Sequence, residues 1–166
     1  MNAAERRQFV KDNHTVVVGY ERKSAPPSMS IVYYTMDGDD ILFSTMSERA
    51  KASAVRRLGE LSLCILDGQW PPTYIVVDGK AVIEEDPEVL TDVGMSIGAV
   101  MAGEPLPDEL RPMVLARMLE EKRVVVRVTP TSTFHSPPVH LHKAADALDE
   151  EKMKDFKHSL GARLPW

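Results

Sequence analysis

The sequence has one cysteine, Cys64, no apolar run approaching the roughly 18 residues of a membrane span, and no excess of positive charge. Each scarcity excludes something. A single thiol cannot close an intrachain disulfide, and it fits a reducing compartment. Cys64 lies in the apolar run Leu61–Leu66 and reads as a small hydrophobe of a buried strand. A formal net charge of −5 argues against general nucleic-acid binding, which needs a basic footprint. The charged segment Met1–Lys11 lacks the apolar stretch of a secretory leader, so the expected location is the cytoplasm, with no membrane partner.

Recognisable catalytic signatures are also missing. There is no G-x-G-x-x-G, no P-loop, no G-x-S-x-G and no H-E-x-x-H. Gly94 and Gly98, four apart, suit close helix packing. Hydrolysis and phosphoryl transfer have no residues to stand on.

What is present is enough for one domain: 166 residues, 43% hydrophobic and 27% charged. Residues 3–12 read as a short helix anchored by Phe9 and Val10. His14–Glu21 reads as a strand on its β-branched Val16–Val18. The prolines of Arg22–Pro27 break it. Ser28–Met36 is the second strand, and Asp37-Gly38 turns the chain into the third, Ile41–Met46. Composition then becomes helical over Ser47–Leu58, with Ser47 as the expected N-cap and Gly59 as the stop.

Leu61–Leu66 and Thr73–Glu85 are the fourth and fifth strands, the latter expected to bend at Gly79. Asp86-Pro87 opens a helix to about Ala102, and Asp108–Glu121 forms a second. Arg123–Thr129 is the sixth strand, with Pro130 expected to break it before any extension to His135. Asp149–Leu160 reads as a C-terminal helix. Six hairpin-linked strands predict an antiparallel sheet, which closure into a barrel would free of open edges.

The informative segment is Ser44-Thr45-Met46-Ser47-Glu48-Arg49-Ala50-Lys51. Two hydroxyls end a strand, helix-opening N–H groups follow, and Arg49 and Lys51 supply charge. Such a junction seats a phosphate without a Gly-rich loop. One condition applies: residues two apart on a helix do not share a face, so both cations meet one anion only if Arg49 lies in the entry turn. The alternative for S-T and R-x-K alone is a solvated helix with scattered cations.

The run ILFSTMSERAKASAVRRLGELSLCILD, then TYIVVDGKAVIEEDPE, and finally VVVRVTP at 124–130, resembles the flavin and deazaflavin oxidoreductases related to pyridoxamine 5′-phosphate oxidase. The likeness covers about residues 6–130. It implies a mainly β fold, a six-stranded antiparallel split barrel of the FMN-binding-protein type with a helical insertion at about 87–121 and a tail helix. It also implies a single domain over 1–166 and a homodimer with cofactor at the subunit interface. Carried over, Ser44, Thr45, Arg49 and Lys51 would hold the phosphate, with Ala50 between them also counted as cofactor-binding. Met29, Ser30 and Val32 would flank the ring or its side chain. Trp70, Pro71 and Tyr74 would line the ring pocket or contact the cofactor of the second subunit. The turn Lys23–Pro27 and Ala54-Val55 depart from the family pattern.

Such chemistry belongs to the cofactor, so a missing acid–base dyad is expected. Coenzyme F420, whose anionic tail Arg56, Arg57 and Lys51 would screen, is expected ahead of FMN. The expected activity is hydride transfer to a small conjugated organic substrate. The alternatives are an FMN-dependent oxidase-like enzyme or a non-catalytic carrier of the cofactor or of a tetrapyrrole. Pyridoxamine phosphate is disfavoured because no second phosphate site is evident in the C-terminal region. His135, His140 and His142, with Pro137 and Pro138 between them, read as an irregular surface or dimer-contact loop, because no nearby cysteine completes a metal site. One of Tyr33 and Tyr34 should be core and the other pocket-facing or exposed. Met95 and Met101 would face an apolar pocket, and Trp166 is expected to fray or to dock on the tail helix.

Overall fold

A computed structural model describes residues 1–69, 72–135 and 163–166. Helix α1 (Ala3–Asp12) starts at a reciprocal cap. The Asn2 side chain accepts from the Glu5 N–H, and the Glu5 carboxylate accepts from the Asn2 N–H. Then come β1 (Thr15–Tyr20), β2 (Ser28–Tyr33), β3 (Thr35–Asp37), β4 (Asp40–Met46), α2 (Ala50–Leu58), β5 (Glu60–Leu66) and β6 (Tyr74–Glu84). After them follow α3 (Pro87–Ala102), a short 3-10 turn at Asp108–Leu110, α4 (Arg111–Glu120), β7 (Arg123–His135) and β8 (Leu164–Pro165).

Seven strands form one antiparallel sheet in the order β2-β1-β5-β6-β7-β4-β3, and β8 adds to β7. The stretch expected as one strand over Ser28–Met36 is therefore two. β2 bonds to β1 at one edge of the sheet, and β3 bonds to β4 at the other. Only Tyr34 lies between them, so the two edges are brought together and the sheet curls into a mainly β split barrel. Tyr34 is fully buried; its hydroxyl donates to the Val10 carbonyl at 2.6 Å and its N–H to the His14 carbonyl at 3.0 Å. Burial, with Asp12 nearby, pushes this phenol above its ordinary pKa.

The barrel interior is filled by Val16, Val18, Ile41, Phe43, Leu63, Ile65, Ile75, Val77, Val126 and Val128, with Val10 of α1 packed among them. The opposite face of β4 and β7 is also covered. Leu42 and Val125 pack there against Leu90, Val93 and Met118 of α3 and α4.

Four further expectations are corrected. Pro130 does not break β7, because the ladder absorbs it at a register shift between Asp78 and Gly79, where Gly79 faces Pro130. A bulge at Gly79 is where the bend was expected. A Cβ on Gly79 would come within 2.8 Å of the Thr129 carbonyl oxygen, so β7 can pass this closely only beside glycine. His135 is no loop residue: it ends β7, buried, with its Nε2 3.2 Å from the Met1 amine. Trp166 meets α1, where the Arg7 guanidinium lies 5.9 Å from its ring centroid. Cys64 is half-buried rather than buried. The expected tail helix, Trp70, Pro71, His140 and His142 lie outside the described residues.

Candidate functional site

Helix α2 begins later than the sequence suggests. Its N-cap is Arg49, not Ser47, and Arg49 has extended backbone angles (φ −70°, ψ 149°) and offers no side-chain cap. Ser47 serves a different purpose: its carbonyl and hydroxyl accept from Arg56 at 2.8 and 2.7 Å. Arg49 thus lies before the regular helix and Lys51 within its first turn, which meets the condition for both to face one anion. The opening N–H groups of α2 are left without a capping side chain, which suits an anion.

Both cations line a concavity of about 420 Å³ with Tyr20, Ser30, Ser44, Thr45, Met46, Ala50 and Arg123. β2, the end of β4, the start of α2 and the first residue of β7 converge on it. Among the described residues neither Arg49 nor Lys51 forms an ion pair. Burial, with Arg49 and Arg123 close by, holds the Lys51 ammonium below its ordinary pKa. The Ser30 hydroxyl oxygen is buried in the same concavity and has no hydrogen-bond partner among the described residues. Uncompensated cations and an orphaned hydroxyl, sharing one hollow, are complementary to an oxyanion.

Arg123 is the residue that sequence reasoning missed. Its Nη1 donates to Ser44 Oγ at 3.3 Å, and its Nε donates to Glu121 at 2.6 Å. The β4–β7 ladder sets Arg123 opposite Met46, and no local pattern announces a pairing between strands 77 residues apart in sequence.

A second cleft, of about 560 Å³, adjoins the cradle and shares Ser44 and Arg123 with it. Its walls are mostly apolar: Val32 and Tyr33 of β2 face Ile97, Met101, Val114 and Met118 of α3 and α4. Tyr34 is core and Tyr33 is 42% exposed, as the alternation predicted. Met101 lines the cleft, whereas Met95 is buried. Gly94 and Gly98 let the hairpin close, since a Cβ at either would lie 2.6 Å from Val114 or Leu106.

Not every expected residue is gathered. Ser30, Ser44, Thr45, Arg49, Ala50 and Lys51 share the cradle, and Val32 lines the cleft. Met29 is 75% exposed and lines a separate hollow with Tyr20 and Lys80. Arg56 is tied to Ser47 and Glu85, and Arg57 donates to the Glu21 carbonyl, so neither points into the cradle. Tyr74 stacks edge-on against Phe134 at 5.9 Å. Among the described residues no cluster of acidic, histidine or cysteine side chains could hold a metal, and no helix is long and apolar enough to cross a membrane.

A sequence profile described as pyridoxamine 5′-phosphate oxidase matches residues 3–136. The chain belongs to the pyridoxamine 5′-phosphate oxidase family. No curated protein matches it in sequence. Among solved structures it is similar to a conserved hypothetical protein from Mycobacterium tuberculosis, with 27% identity over 87% of this chain and 94% of that one, at a TM-score of 0.71. An F420 reductase shares the fold at 18% identity, over 76% and 94% of the two chains, with a TM-score of 0.59. So does an FAD-binding protein from Mesorhizobium loti, at 15% identity, over 80% and 92%, with a TM-score of 0.60. Within this family fold, the cradle and the cleft are the features on which a function can be argued.

Proposed function

We propose that this chain is an oxidoreductase that holds a flavin or deazaflavin by its phosphate in the cradle, with coenzyme F420 as first candidate. The observation that carries this reading is the convergence of Arg49, Lys51 and Arg123 beside the orphaned Ser30 hydroxyl. Arg49 and Arg123 offer forked donors, Lys51 a point charge, and the start of α2 its free N–H groups. Ser44 and Thr45 complete the oxyanion contacts, and Val32, which lines the adjoining cleft, flanks the ring. When bound, such a ring supplies hydride transfer to a conjugated organic substrate. The protein's part is to bind, orient and exclude water.

F420 is favoured by the surplus of positive charge: three cations face the cradle, and among the described residues only Arg123 is paired, to Glu121. FMN is favoured by a different observation. Arg56 and Arg57, expected to screen the F420 tail, are engaged elsewhere, and the same surplus balances a phosphate monoester.

A second copy of the chain completes the site in this reading. The outer face of the sheet carries Ile31, Val17, Cys64, Val76 and Phe134 in register across β2, β1, β5, β6 and β7. Ile31 is 74% exposed there. Such an apolar row suits a self-complementary interface in a cytoplasmic homodimer.

The test is titration of the apo-protein with F420 and with FMN, followed by fluorescence. Binding of F420 alone supports the first candidate and binding of FMN alone the second; binding of neither overturns the reading. Turnover with the reduced cofactor and a panel of enones then separates an enzyme from a carrier.

A further inference from the structure

The cleft beside the cradle has a charge arrangement at its rim that the phosphate site does not need. Glu121 accepts from Arg117 Nε at 2.9 Å and from Arg123 Nε at 2.6 Å. One carboxylate thus holds two guanidinium groups. Both arginines keep its carboxyl below the usual carboxylate range, Arg123 contributing most. Beyond this rim the walls are Ile97, Met101, Leu106, Val114 and Met118, with no charged group.

We propose that this cleft is the substrate site, that it takes a neutral apolar molecule rather than an anionic one, and that Glu121 sets this preference. Arg117 and Arg123 would otherwise present two forks to any carboxylate or phosphate entering beside the cradle. Glu121 occupies the Nε of each and adds a negative charge that an incoming anion must approach at close range. The remaining face of Arg123 turns to Ser44 and the cradle, so its free charge serves the phosphate seat. Inside, an ionised group would meet only aliphatic and thioether walls, where desolvation is uncompensated. A neutral ligand gains from burying Met101, now 67% exposed, and Tyr33. Because the cleft shares Ser44 and Arg123 with the cradle, the assignment rests on the functional reading above, and it narrows the substrate to neutral conjugated compounds without a phosphate.

The experiment uses the full chain without cofactor, with inorganic phosphate added in excess to fill the cradle. Two solvatochromic probes of similar size are compared: neutral Nile red and anionic anilinonaphthalene sulfonate. The wild-type protein should bind Nile red about tenfold or more tightly than the sulfonate. Ile97→Glu and Met101→Glu each put a carboxylate into the cleft, and Nile red binding should fall by about tenfold in at least one of them. The Met101 position is exposed enough to accept the change without loss of fold. Glu121→Gln should leave Nile red affinity unchanged and raise sulfonate affinity by roughly fivefold. Equal affinity of the two probes in the wild type overturns the proposal, as does Nile red binding that is indifferent to both glutamate substitutions. No gain for the sulfonate in Glu121→Gln removes Glu121 from the role. Phosphate binding, measured separately by calorimetry, reports on the cradle alone, so a failed cradle and a failed cleft are distinguishable.

Discussion

Arg123 Nη1 and Ser44 Oγ, 79 residues apart in sequence, lie 3.3 Å from each other and bond the first residue of β7 to the third-last residue of β4. That contact stands between the cradle and the apolar cleft, whose linings share both residues. The same guanidinium faces Lys51 closely enough to contribute to lowering its pKa. It is therefore placed to govern the cradle from a strand that local sequence gave no reason to include.

Replacing Arg49, Lys51 or Arg123 singly by Ala should weaken binding of FMN or F420 by about 1–3 kcal/mol, the range for a charge-assisted hydrogen bond. Arg56→Ala serves as the control. Arg56 is committed to Ser47 and Glu85, so its loss should change affinity by under about 0.5 kcal/mol. Calorimetric titration of the four variants decides this. If Arg56→Ala weakens binding as much as Lys51→Ala, the anion does not sit in the cradle.

Lys51 also predicts a pH dependence. Its folded-state pKa lies below the ordinary 10.5, because burial and the charges of Arg49 and Arg123 disfavour the ammonium. The folded protein therefore bears a cost while Lys51 is protonated. The cost is fully present below the folded pKa, shrinks as pH rises through it, and is gone above 10.5. Lys51→Met should raise the melting temperature of the apo-protein near neutral pH by about 1–2 °C. The gain should vanish as pH approaches 10.5, and it should reverse in saturating phosphate ligand. Thermal melts at several pH values check the sign.

The barrel was legible because its signals are local. Asp37-Gly38 names its own turn, Gly59 its own left-handed helix stop (φ 66°), and Asp86 its own N-cap for α3. The R-x-K cradle was legible for the same reason, since Ser44 to Lys51 are contiguous. What escaped was set by distant pairing. Tyr34 divides a continuous β-branched and aromatic run only because the strands on either side of it, β2 and β3, lie at opposite edges of the sheet. Pro130 survives inside β7 only because the ladder shifts register where Gly79 faces it. Arg56 looked free to bind an anion until folding brought Ser47 and Glu85 against it. Composition cannot tell a cation that is free from one that is already engaged.

The Gly79 bulge can be tested by stability alone. A methyl group there would lie 2.5 Å from Val128 Cγ1 and 2.8 Å from the Thr129 carbonyl oxygen. Val128 could turn, but the Thr129 carbonyl belongs to the ladder and cannot move without breaking it. Gly79→Ala should cost about 2–3 kcal/mol, the upper part of the range for overpacking. Gly98→Ala makes the contrast. Its obstacle is the tip of the Leu106 side chain, and alanine gains about 1 kcal/mol of helix propensity, so stability should be nearly unchanged. Urea denaturation of both variants reads the difference directly.

The outer sheet face yields the last prediction. Met29 and Ile31 stand on edge strand β2 at 75% and 74% exposure, beside half-buried Val17 and Cys64. Left in water, such a row invites strand or face association, and β2 bears no charged residue to oppose it. Ile31→Lys would place an ammonium at the most exposed end of this row. In a two-fold dimer the substitution enters the interface twice. Loss of two buried isoleucines at about 2 kcal/mol each should raise the dimer dissociation constant by a factor on the order of a thousand. The folded protomer should be little affected, because Ile31 makes no contribution to the core. Size-exclusion chromatography with light scattering should show a dimer for the wild type and a monomer for Ile31→Lys at micromolar concentration. A variant that remains dimeric would place the interface on another face. A monomeric wild type would remove the second copy from the site.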